Sequence, residues 1–365
     1  MSIESRAPGV VQVGGRSRYV FDRAPLLIYW EMTRACDLAC RHCRAEAIAL
    51  PHPDELTTEE ARALLRDARH FGPPLPHLVF TGGDPLKRAD LFEVVGEARR
   101  LGFGVSLAPS GTALLSADVI RRLSAGIQSM SLSIDGSTAE RHDAFRGVPG
   151  TFATTLQAAQ WVRAAGIPLQ INTLVTAETL DDLPHLYRLM QTLDIMRWSL
   201  FFLISVGRGR VLQEISPAES ERLFHWLLDL GREAPFPIKT TEATHYRRVA
   251  YTRMRRAGMD EAAIARTPVG RGFGVRDGNG IMFVSHTGAV YPSGFLPVTA
   301  GSVRQASLVD LYRSSPLFTR LRDVTQLTGK CGVCPFAAIC GGSRARAYAW
   351  TGDSMASDPL CPYQP

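Results

Sequence analysis

Three cysteines lie within eight residues, in the stretch Cys36-Asp-Leu-Ala-Cys40-Arg-His-Cys43, directly after an apolar run. This C-x3-C-x2-C spacing puts three thiolates on one tight loop, where they can ligate three irons of a cubane iron–sulfur cluster. The motif supplies no fourth ligand, so one iron stays open to a small molecule. Structural zinc sites normally close all four positions with paired C-x2-4-C elements. The triad therefore indicates a reactive cluster rather than a structural metal site.

The chain has seven cysteines, and the other four follow residue 330: Cys331, Cys334, Cys340 and Cys361. A C-x2-C pair occurs both in zinc ribbons and in iron–sulfur sites, so the spacing alone leaves both chemistries open.

The elements that must position the triad alternate between strand and helix patterns from about residue 25 onward. An apolar run of strand length at residues 26–32 predicts the first strand, and the alternating pattern predicts five more, at residues 77–80, 104–108, 129–134, 169–175 and 198–203. A capping box at residues 57–60 starts the first helix. Six βα repeats predict an α/β fold, an incomplete (β/α)6 TIM-like barrel, with its chemistry at the carboxyl ends of the strands.

Length and composition limit the class of protein. The 365 residues are 45% apolar with a mean hydropathy of -0.02, which suits a globular protein with a sizeable core. A net charge of +6 and a pI near 9.1 suit an anionic substrate or nucleic acid, but no RNA-binding module is recognisable, so no nucleic acid is expected. No signal peptide and no apolar run of bilayer length are present. We expect a cytoplasmic protein with no membrane partner, whose cysteines serve as metal ligands or catalysts.

The triad and its strand context resemble the radical S-adenosylmethionine (SAM) superfamily, with His42 at the motif's usual aromatic position. In that family the open iron of a [4Fe–4S] cluster binds the amino and carboxylate groups of SAM. One electron then cleaves SAM to a 5′-deoxyadenosyl radical, which abstracts hydrogen from the substrate. The resemblance implies SAM and this cluster as cofactors, a reductase, flavodoxin or ferredoxin as electron donor, and three catalytic cluster ligands: Cys36, Cys40 and Cys43.

The same resemblance implies a set of SAM contacts. Gly82-Gly83-Asp84-Pro85 resembles the family's Gly-Gly-Glu-Pro turn, which receives the SAM amino group largely through backbone atoms. Because a guanidinium forms bidentate bonds with a carboxylate, Arg146 is expected to hold the SAM carboxylate. The further candidates, for ribose and adenine, are Ser110, Ser133, Asp135 and Asn172.

The carboxyl-terminal cysteines resemble the SPASM-type extension of radical SAM enzymes. A full SPASM domain uses seven cysteines for two auxiliary clusters, whereas Ser293 and Ser343 stand here at two of those positions. We therefore expect one closed auxiliary [4Fe–4S] cluster that transfers electrons, ligated by Cys331, Cys334, Cys340 and Cys361. The predicted organisation is an N-terminal arm (1–24), a radical SAM partial barrel (25–235) and a small α+β SPASM- or twitch-like iron–sulfur domain (236–365).

The stretches Cys340-Gly-Gly-Ser-Arg344-Ala-Arg346 and Asp358-Pro359-Leu360-Cys361 resemble radical SAM enzymes of the alternative haem route and of d-type haem synthesis. Those enzymes act on propionate side chains of iron tetrapyrroles, by oxidative decarboxylation or side-chain loss. The main hypothesis is a radical SAM oxidoreductase with a small-molecule substrate of this kind. Candidates to face propionates are Arg208, Arg210, Arg247, Arg248, Arg344 and Arg346. A lone His is more often structural, so His245 and His286 are not favoured as haem-iron ligands.

Two alternatives stay open. A peptide-modifying maturase has the same framework, and the few residues before position 25 argue against a leader-binding domain but not against a separate leader-binding protein. A non-catalytic iron–sulfur carrier or redox sensor would also bind clusters, although the SAM-like turns argue against it.

Overall fold

The structure is a computed structural model that describes residues 10–13 and 16–365. Within these residues the strands are β1 (Val10–Val13), β2 (Arg16–Tyr19), β3 (Leu27–Glu31), β4 (His77–Thr81), β5 (Val105–Leu107), β6 (Ser129–Ser133), β7 (Leu169–Val175), β8 (Arg197–Phe202), β9 (Ile238–Thr241), β10 (Arg276–Asp277), β11 (Gly280–Val284), β12 (Ala289–Tyr291) and β13 (Gly301–Ser302). Part of the predicted N-terminal arm, residues 1–9 and 14–15, lies outside the described residues, and β1 pairs antiparallel with β2.

The α-helices of the same part of the chain are α1 (Thr58–Ala68), α2 (Leu91–Arg100), α3 (Ala117–Ser124), α4 (Ala139–Arg146), α5 (Thr151–Ala164), α6 (Leu183–Thr192), α7 (Pro217–Glu233), α8 (Tyr246–Arg256), α9 (Glu261–Arg266), α10 (Leu308–Ser314), α11 (Pro316–Arg322), α12 (Gly329–Gly332) and α13 (Arg344–Thr351). The predicted capping box is present at the start of α1, where Thr57 and Glu60 satisfy each other's backbone amides. No helix in the described ranges is long and apolar enough to cross a membrane.

One sheet contains most of the strands, in the order β13-β12-β11-β3-β4-β5-β6-β7-β8-β9, with β10 paired to β11. All neighbouring pairs from β11 through β3 to β9 are parallel. The six predicted strands are β3 to β8, each beside its predecessor, which confirms the incomplete (β/α)6 barrel. Two further parallel strands extend that barrel, β9 next to β8 and β11 next to β3.

Neither of these two pairings was predicted from the sequence. Strand β9 reads Ile-Lys-Thr-Thr and has one apolar residue, so it lacks the apolar run of a buried strand. Two apolar runs on either side of His-Thr-Gly at residues 286–288 predict a hairpin, and β11 and β12 form it. Strand β11 also pairs with β3 on its other side. Strands from beyond residue 235 thus share the sheet of the barrel, and the division into domains at that residue stays a prediction.

The two faces of the sheet differ in character, because successive side chains of a strand point to opposite sides. Apolar side chains of the outer face pack against the helices and form the main core, including Ile28, Trp30, Leu78, Phe80, Met130, Leu132, Ile171, Trp198 and Leu200. The inner face has mostly small and polar side chains, among them Ser106, Ser129, Ser131, Gln170, Asn172 and Ser199. A closed TIM barrel fills its interior with branched apolar residues. This barrel leaves an open cavity there.

Candidate active site

The cysteine triad lies on the loop that leaves β3 at the carboxyl edge of the sheet. Cys36, Cys40 and Cys43 all line one cavity of about 220 Å³. Among the described residues, no three His, Cys, Asp or Glu side chains converge closely enough to hold a single metal ion. A cubane cluster is larger than one ion, and its thiolates surround it rather than meet at one point. Three thiols around one cavity, with no fourth, fit the open cluster that the sequence predicts.

Polar groups reach the sulfur atoms of this loop. The amides of Leu38 and Ala47 each donate a hydrogen bond of 3.4 Å, to Cys36 Sγ and Cys43 Sγ respectively. Ser110 Oγ lies 3.3 Å from Cys36 Sγ. Burial raises the pKa of the Cys36 thiol, and the contacts with Ser110 and Leu38 oppose that rise. Metal ligation requires a deprotonated thiol, so cluster binding would make Cys36 a thiolate despite its burial.

The glycine turn after β4 packs directly on the segment that leads into the triad. The amide of Gly83 donates to the carbonyl of Thr33 at 2.8 Å. A Cβ on Gly82 would lie 2.4 Å from that same carbonyl oxygen, and one on Gly83 would lie 2.4 Å from the carbonyl oxygen of Ala35. Both glycines line the cluster cavity. Only glycine lets this turn approach so closely, and the turn thereby presents backbone atoms to the cavity.

Asp84, the third residue of the predicted turn motif, lies beneath the turn and lines neither of the cavities described here. Its carboxylate accepts hydrogen bonds from Leu86 N at 3.1 Å, from Ser110 N at 3.4 Å and from Thr112 Oγ1 at 3.0 Å. Burial raises the pKa of this carboxyl group, and those three bonds oppose the rise. Asp84 thus connects the turn after β4 to the turn after β5 through hydrogen bonds.

Asp135 and Arg146 meet across the cavity wall. Arg146 Nη2 lies 2.5 Å from Asp135 Oδ2, and Arg146 Nη1 lies 3.7 Å from Cys40 Sγ. Burial favours a raised pKa for Asp135, but the Arg146 guanidinium and His42 outweigh it and lower the pKa. Arg146 therefore lies between Asp135, a predicted ribose contact, and the triad. One of its terminal nitrogen atoms already pairs with the Asp135 carboxylate.

The remaining predicted contacts also reach the cluster cavity. Ser110, Ser133 and Asn172 line it together with the glycine turn, Asp135 and Arg146. Asn172 lies within β7 rather than after it, and its Oδ1 accepts a hydrogen bond of 2.7 Å from Gln170. The fold thus brings seven of the eight predicted SAM-contact residues to the same cavity as the three cysteines.

Arg208 is a further cation on the wall of the cluster cavity. Its Nε and Nη2 atoms are buried without a hydrogen-bond partner among the described residues. Its amide donates to the carbonyl of Cys43 at 3.1 Å, and a Cβ on the preceding Gly207 would lie 2.6 Å from that oxygen. From the sequence, Arg208 was a candidate to face a propionate instead. The Gly-Arg-Gly-Arg turn was visible in the sequence, but its docking on the triad loop is a tertiary contact.

A second, larger cavity of about 580 Å³ occupies the interior of the barrel. It shares Gly83, Ser110, Arg146 and Asn172 with the cluster cavity, so the two spaces adjoin. Its volume lies within the roughly 300–1,000 Å³ typical of small-molecule and cofactor sites. A ligand in the barrel interior would therefore lie directly beside the residues around the triad.

The cations of the barrel cavity differ from those expected. Within the described part of the chain, none of the six arginines predicted to face propionates lines this cavity; Arg44, Arg146, Arg197 and Lys239 do. Arg344 and Arg346 are fully buried in the carboxyl-terminal region, where Arg346 Nε lies 2.6 Å from Glu214. Spacing along the chain cannot distinguish a guanidinium that binds a ligand from one that is part of the core.

The two histidines considered as iron ligands have protein partners. His286 Nδ1 lies 2.7 Å from Glu31 Oε1, and Arg44 Nη2 lies 2.9 Å from the other oxygen of that carboxylate. Burial lowers the pKa of His245 to about 3, so it is neutral, and its Nε2 lies 3.4 Å from Ser220 Oγ. Neither histidine lines the barrel cavity.

The four carboxyl-terminal cysteines form a second group. All four line one narrow cavity of about 20 Å³, next to α12 and the chain end: Cys331, Cys334, Cys340 and Cys361. The amide of Gly342 donates to Cys340 Sγ at 3.4 Å. Burial raises the pKa of the Cys361 thiol to about 12. Four thiols around one space fit a metal centre whose every position is closed by protein.

The two serines at SPASM cysteine positions face elsewhere. Ser343 caps α13 by accepting from the amide of Arg346 at 3.1 Å, and its hydroxyl donates to Glu242 Oε2 at 2.5 Å. Ser293 lines the barrel cavity. Neither residue lines the space between the four cysteines.

Comparison with known proteins agrees with this arrangement. A model described as the radical SAM superfamily matches residues 30–190. The AdoMet-dependent heme synthase of Methanosarcina barkeri is 39% identical over 343 residues, covering 94% of this chain and 97% of that protein. The protein of the same name from Nitratidesulfovibrio vulgaris is 40% identical over 346 residues, covering 93% of this chain and 92% of that protein.

Among solved structures, Streptococcus suis SuiB bound to S-adenosylmethionine aligns with a TM-score of 0.70 at 18% identity, covering 93% of this chain and 78% of that one. This likeness shows the fold, a mostly parallel α/β sheet in a partial TIM-like barrel. The chain belongs to the radical SAM superfamily, in the family of the AdoMet-dependent heme synthases. It is accordingly a radical SAM enzyme with SAM and a [4Fe–4S] cluster as cofactors.

Proposed function

We propose that this enzyme oxidatively decarboxylates propionate side chains of an iron tetrapyrrole. The observation that carries the proposal is near-full-length identity of about 40% to AdoMet-dependent heme synthases. The barrel cavity of about 580 Å³, with four cationic side chains on its wall, supports an anionic substrate of that size.

We propose Cys36, Cys40 and Cys43 as ligands of the catalytic cluster. When bound, the cluster and SAM supply a 5′-deoxyadenosyl radical that removes a hydrogen atom from the substrate. The backbone of Gly82 and Gly83 is suited to the SAM amino group because no side chain blocks its approach. The proposed ribose and adenine contacts are Ser110, Ser133, Asp135 and Asn172, all on the same cavity wall.

Two cations are available for the SAM carboxylate. Arg146 contacts Asp135, whereas Arg208 has buried nitrogen atoms without partners among the described residues. A buried guanidinium without a partner is costly, and a ligand carboxylate would remove that cost through charge-assisted bonds. We therefore propose that Arg208 shares this role with Arg146.

The reaction needs an electron acceptor. Loss of one hydrogen atom from a propionate β-carbon and of its carboxylate as carbon dioxide leaves a vinyl group and releases one electron. We propose that the auxiliary centre accepts this electron as one [4Fe–4S] cluster, ligated by Cys331, Cys334, Cys340 and Cys361. A reductase, flavodoxin or ferredoxin is proposed as the donor to the catalytic cluster.

The test is an anaerobic assay of reconstituted protein with SAM, dithionite and iron-coproporphyrin, in which mass spectrometry follows deoxyadenosine and porphyrin together. We expect deoxyadenosine and porphyrin that has lost carbon dioxide. Deoxyadenosine with unchanged porphyrin would refute the tetrapyrrole substrate and turn the search to peptides. Replacing Cys36, Cys40 or Cys43 by Ala is expected to abolish deoxyadenosine formation, and cleavage retained in all three variants would refute the cluster assignment.

A further inference from the structure

The end of the barrel cavity farthest from the triad contains two cations. Arg197 is the first residue of β8 and Lys239 is the second of β9, so both lie near the amino ends of parallel strands. The triad follows the carboxyl end of β3. Both cationic side chains line the barrel cavity.

The register of the sheet directs these two side chains into the same space. Lys239 is the ladder partner of Ser199, and Arg197 is the partner of Gln170. All four residues line the barrel cavity, as does Phe201, which follows the alternation of β8. Arg197 and Lys239 are thus diagonal neighbours on one face of adjacent strands.

Among residues 20–365, neither cation has a carboxylate as a hydrogen-bond or ion-pair partner. Arg197 Nη1 donates to Gln170 Oε1 at 3.2 Å, and Lys239 makes no side-chain hydrogen bond or ion pair within residues 20–365. Glu242 is the one carboxyl group among the described residues that line the cavity. Burial and the neighbouring Asp277 raise its pKa well above the usual value. Its carboxyl oxygen Oε2 accepts a hydrogen bond from Ser343 Oγ, and within residues 20–365 it forms no ion pair with Arg197 or Lys239.

Lys239 is an exposed residue of β9, and its side chain lines the barrel cavity. Desolvation, with repulsion from Arg197 and Arg247, lowers the pKa of its ammonium group from 10.5 to about 8. It remains a cation at neutral pH. Two adjacent cations that lack a carboxylate partner on one cavity wall are suited to binding an anion.

We propose that Arg197 and Lys239 form a carboxylate-binding subsite that holds a non-reacting propionate of the tetrapyrrole. The proposal rests on the proposed function. Phe201 lines both cavities. Arg197 and Phe201 lie four residues apart on β8, so about 13 Å of strand separates them. That separation is comparable with the width of a tetrapyrrole macrocycle. A carboxylate bound at the far end would place the opposite edge of the ring beside the cluster cavity.

The test measures binding of iron-coproporphyrin and of its tetramethyl ester, from the change in porphyrin absorbance, to wild type and to Lys239→Met. The ester has the same ring without carboxylates. We expect the substitution to weaken binding of the free acid roughly 10- to 100-fold and to leave binding of the ester unchanged. Lys239→Arg should restore most of the affinity, and Arg99→Met, which removes an exposed cation of α2, should have no effect.

The melting temperature separates loss of a ligand contact from loss of the fold. Because Arg197 and Arg247 repel the ammonium group of Lys239, Lys239→Met is expected to keep or raise the melting temperature. Equal affinity of wild type and Lys239→Met for the free acid would overturn the subsite while leaving the proposed function intact. An equal loss for acid and ester would overturn it as well. Wild type that binds no iron porphyrin would overturn the proposed function and this subsite together.

Discussion

Replacing Gly83 by Ala should separate SAM binding from cluster binding. The new Cβ would lie 2.4 Å from the carbonyl oxygen of Ala35 and 2.6 Å from that of Arg34, whereas ordinary contact begins at 3.4 Å. Both obstacles are backbone atoms, so the glycine turn has to move by about 1 Å relative to the triad loop. A displacement of about 1 Å in a reacting geometry costs on the order of 100-fold in rate. We therefore expect deoxyadenosine formation to fall by about that factor.

The assay compares iron content, SAM affinity and deoxyadenosine formation in reconstituted wild type and variant under dithionite. Iron content should stay at the wild-type level because all three cysteines remain. Gly96→Ala is the matched control: nothing lies within 4 Å of its Cβ, and it is in the middle of α2. It should leave activity unchanged and stabilise the protein by about 0.5–1 kcal/mol. Deoxyadenosine formation in Gly83→Ala within threefold of wild type would refute the reasoning.

Two further predictions concern the auxiliary centre and the Asp135–Arg146 pair. Cys334→Ser should reduce bound iron to about half, because one of two four-iron sites loses a ligand. The variant should retain SAM cleavage while complete turnover falls. Unchanged iron content and unchanged products would contradict the assignment. Asp135→Asn should lower the free energy of unfolding by about 3–5 kcal/mol, because it leaves the Arg146 guanidinium without its carboxylate. Since the pKa of Asp135 is lowered in the fold, its stabilisation is present above about pH 4, the pKa of an unfolded Asp, and is lost as pH falls further. Urea unfolding should therefore show the two proteins converging in acid, and a constant difference down to low pH would contradict this account.

Features that depend on a short stretch of chain were predictable from the sequence. The C-x3-C-x2-C spacing predicts an open cluster site because its three cysteines lie on one loop. The six strands β3 to β8 were predictable because apolar residues recur along each of them, in a run or at alternate positions, between turns. The starts of α1 and α7 were also predictable from a short stretch of chain. Thr57 forms a capping box with Glu60, and Ser216 forms one with Glu219.

The start of α3 differs from what the local pattern predicts. The pattern after β5 predicts a helix from about residue 113, whereas α3 begins at Ala117. Ser116 is its N-cap, and its hydroxyl accepts from the amide of Val119 at 3.3 Å. The apolar residues at positions 114 and 115 extend the pattern, but the residues before the cap form a turn.

The sequence by itself determined the cofactor chemistry, the repeating βα pattern and the family. Each of these depends on short motifs or on patterns of residues close together in the chain. Only the tertiary structure decided which side chains face the barrel cavity. Arg197 and Lys239 enter the barrel because β9 adds to β8 in a register that directs both inward, while Arg344 and Arg346 are buried elsewhere. All four are basic residues with no distinguishing local pattern. The face to which a side chain points depends on the pairing of strands distant in sequence, and no local spacing encodes that pairing.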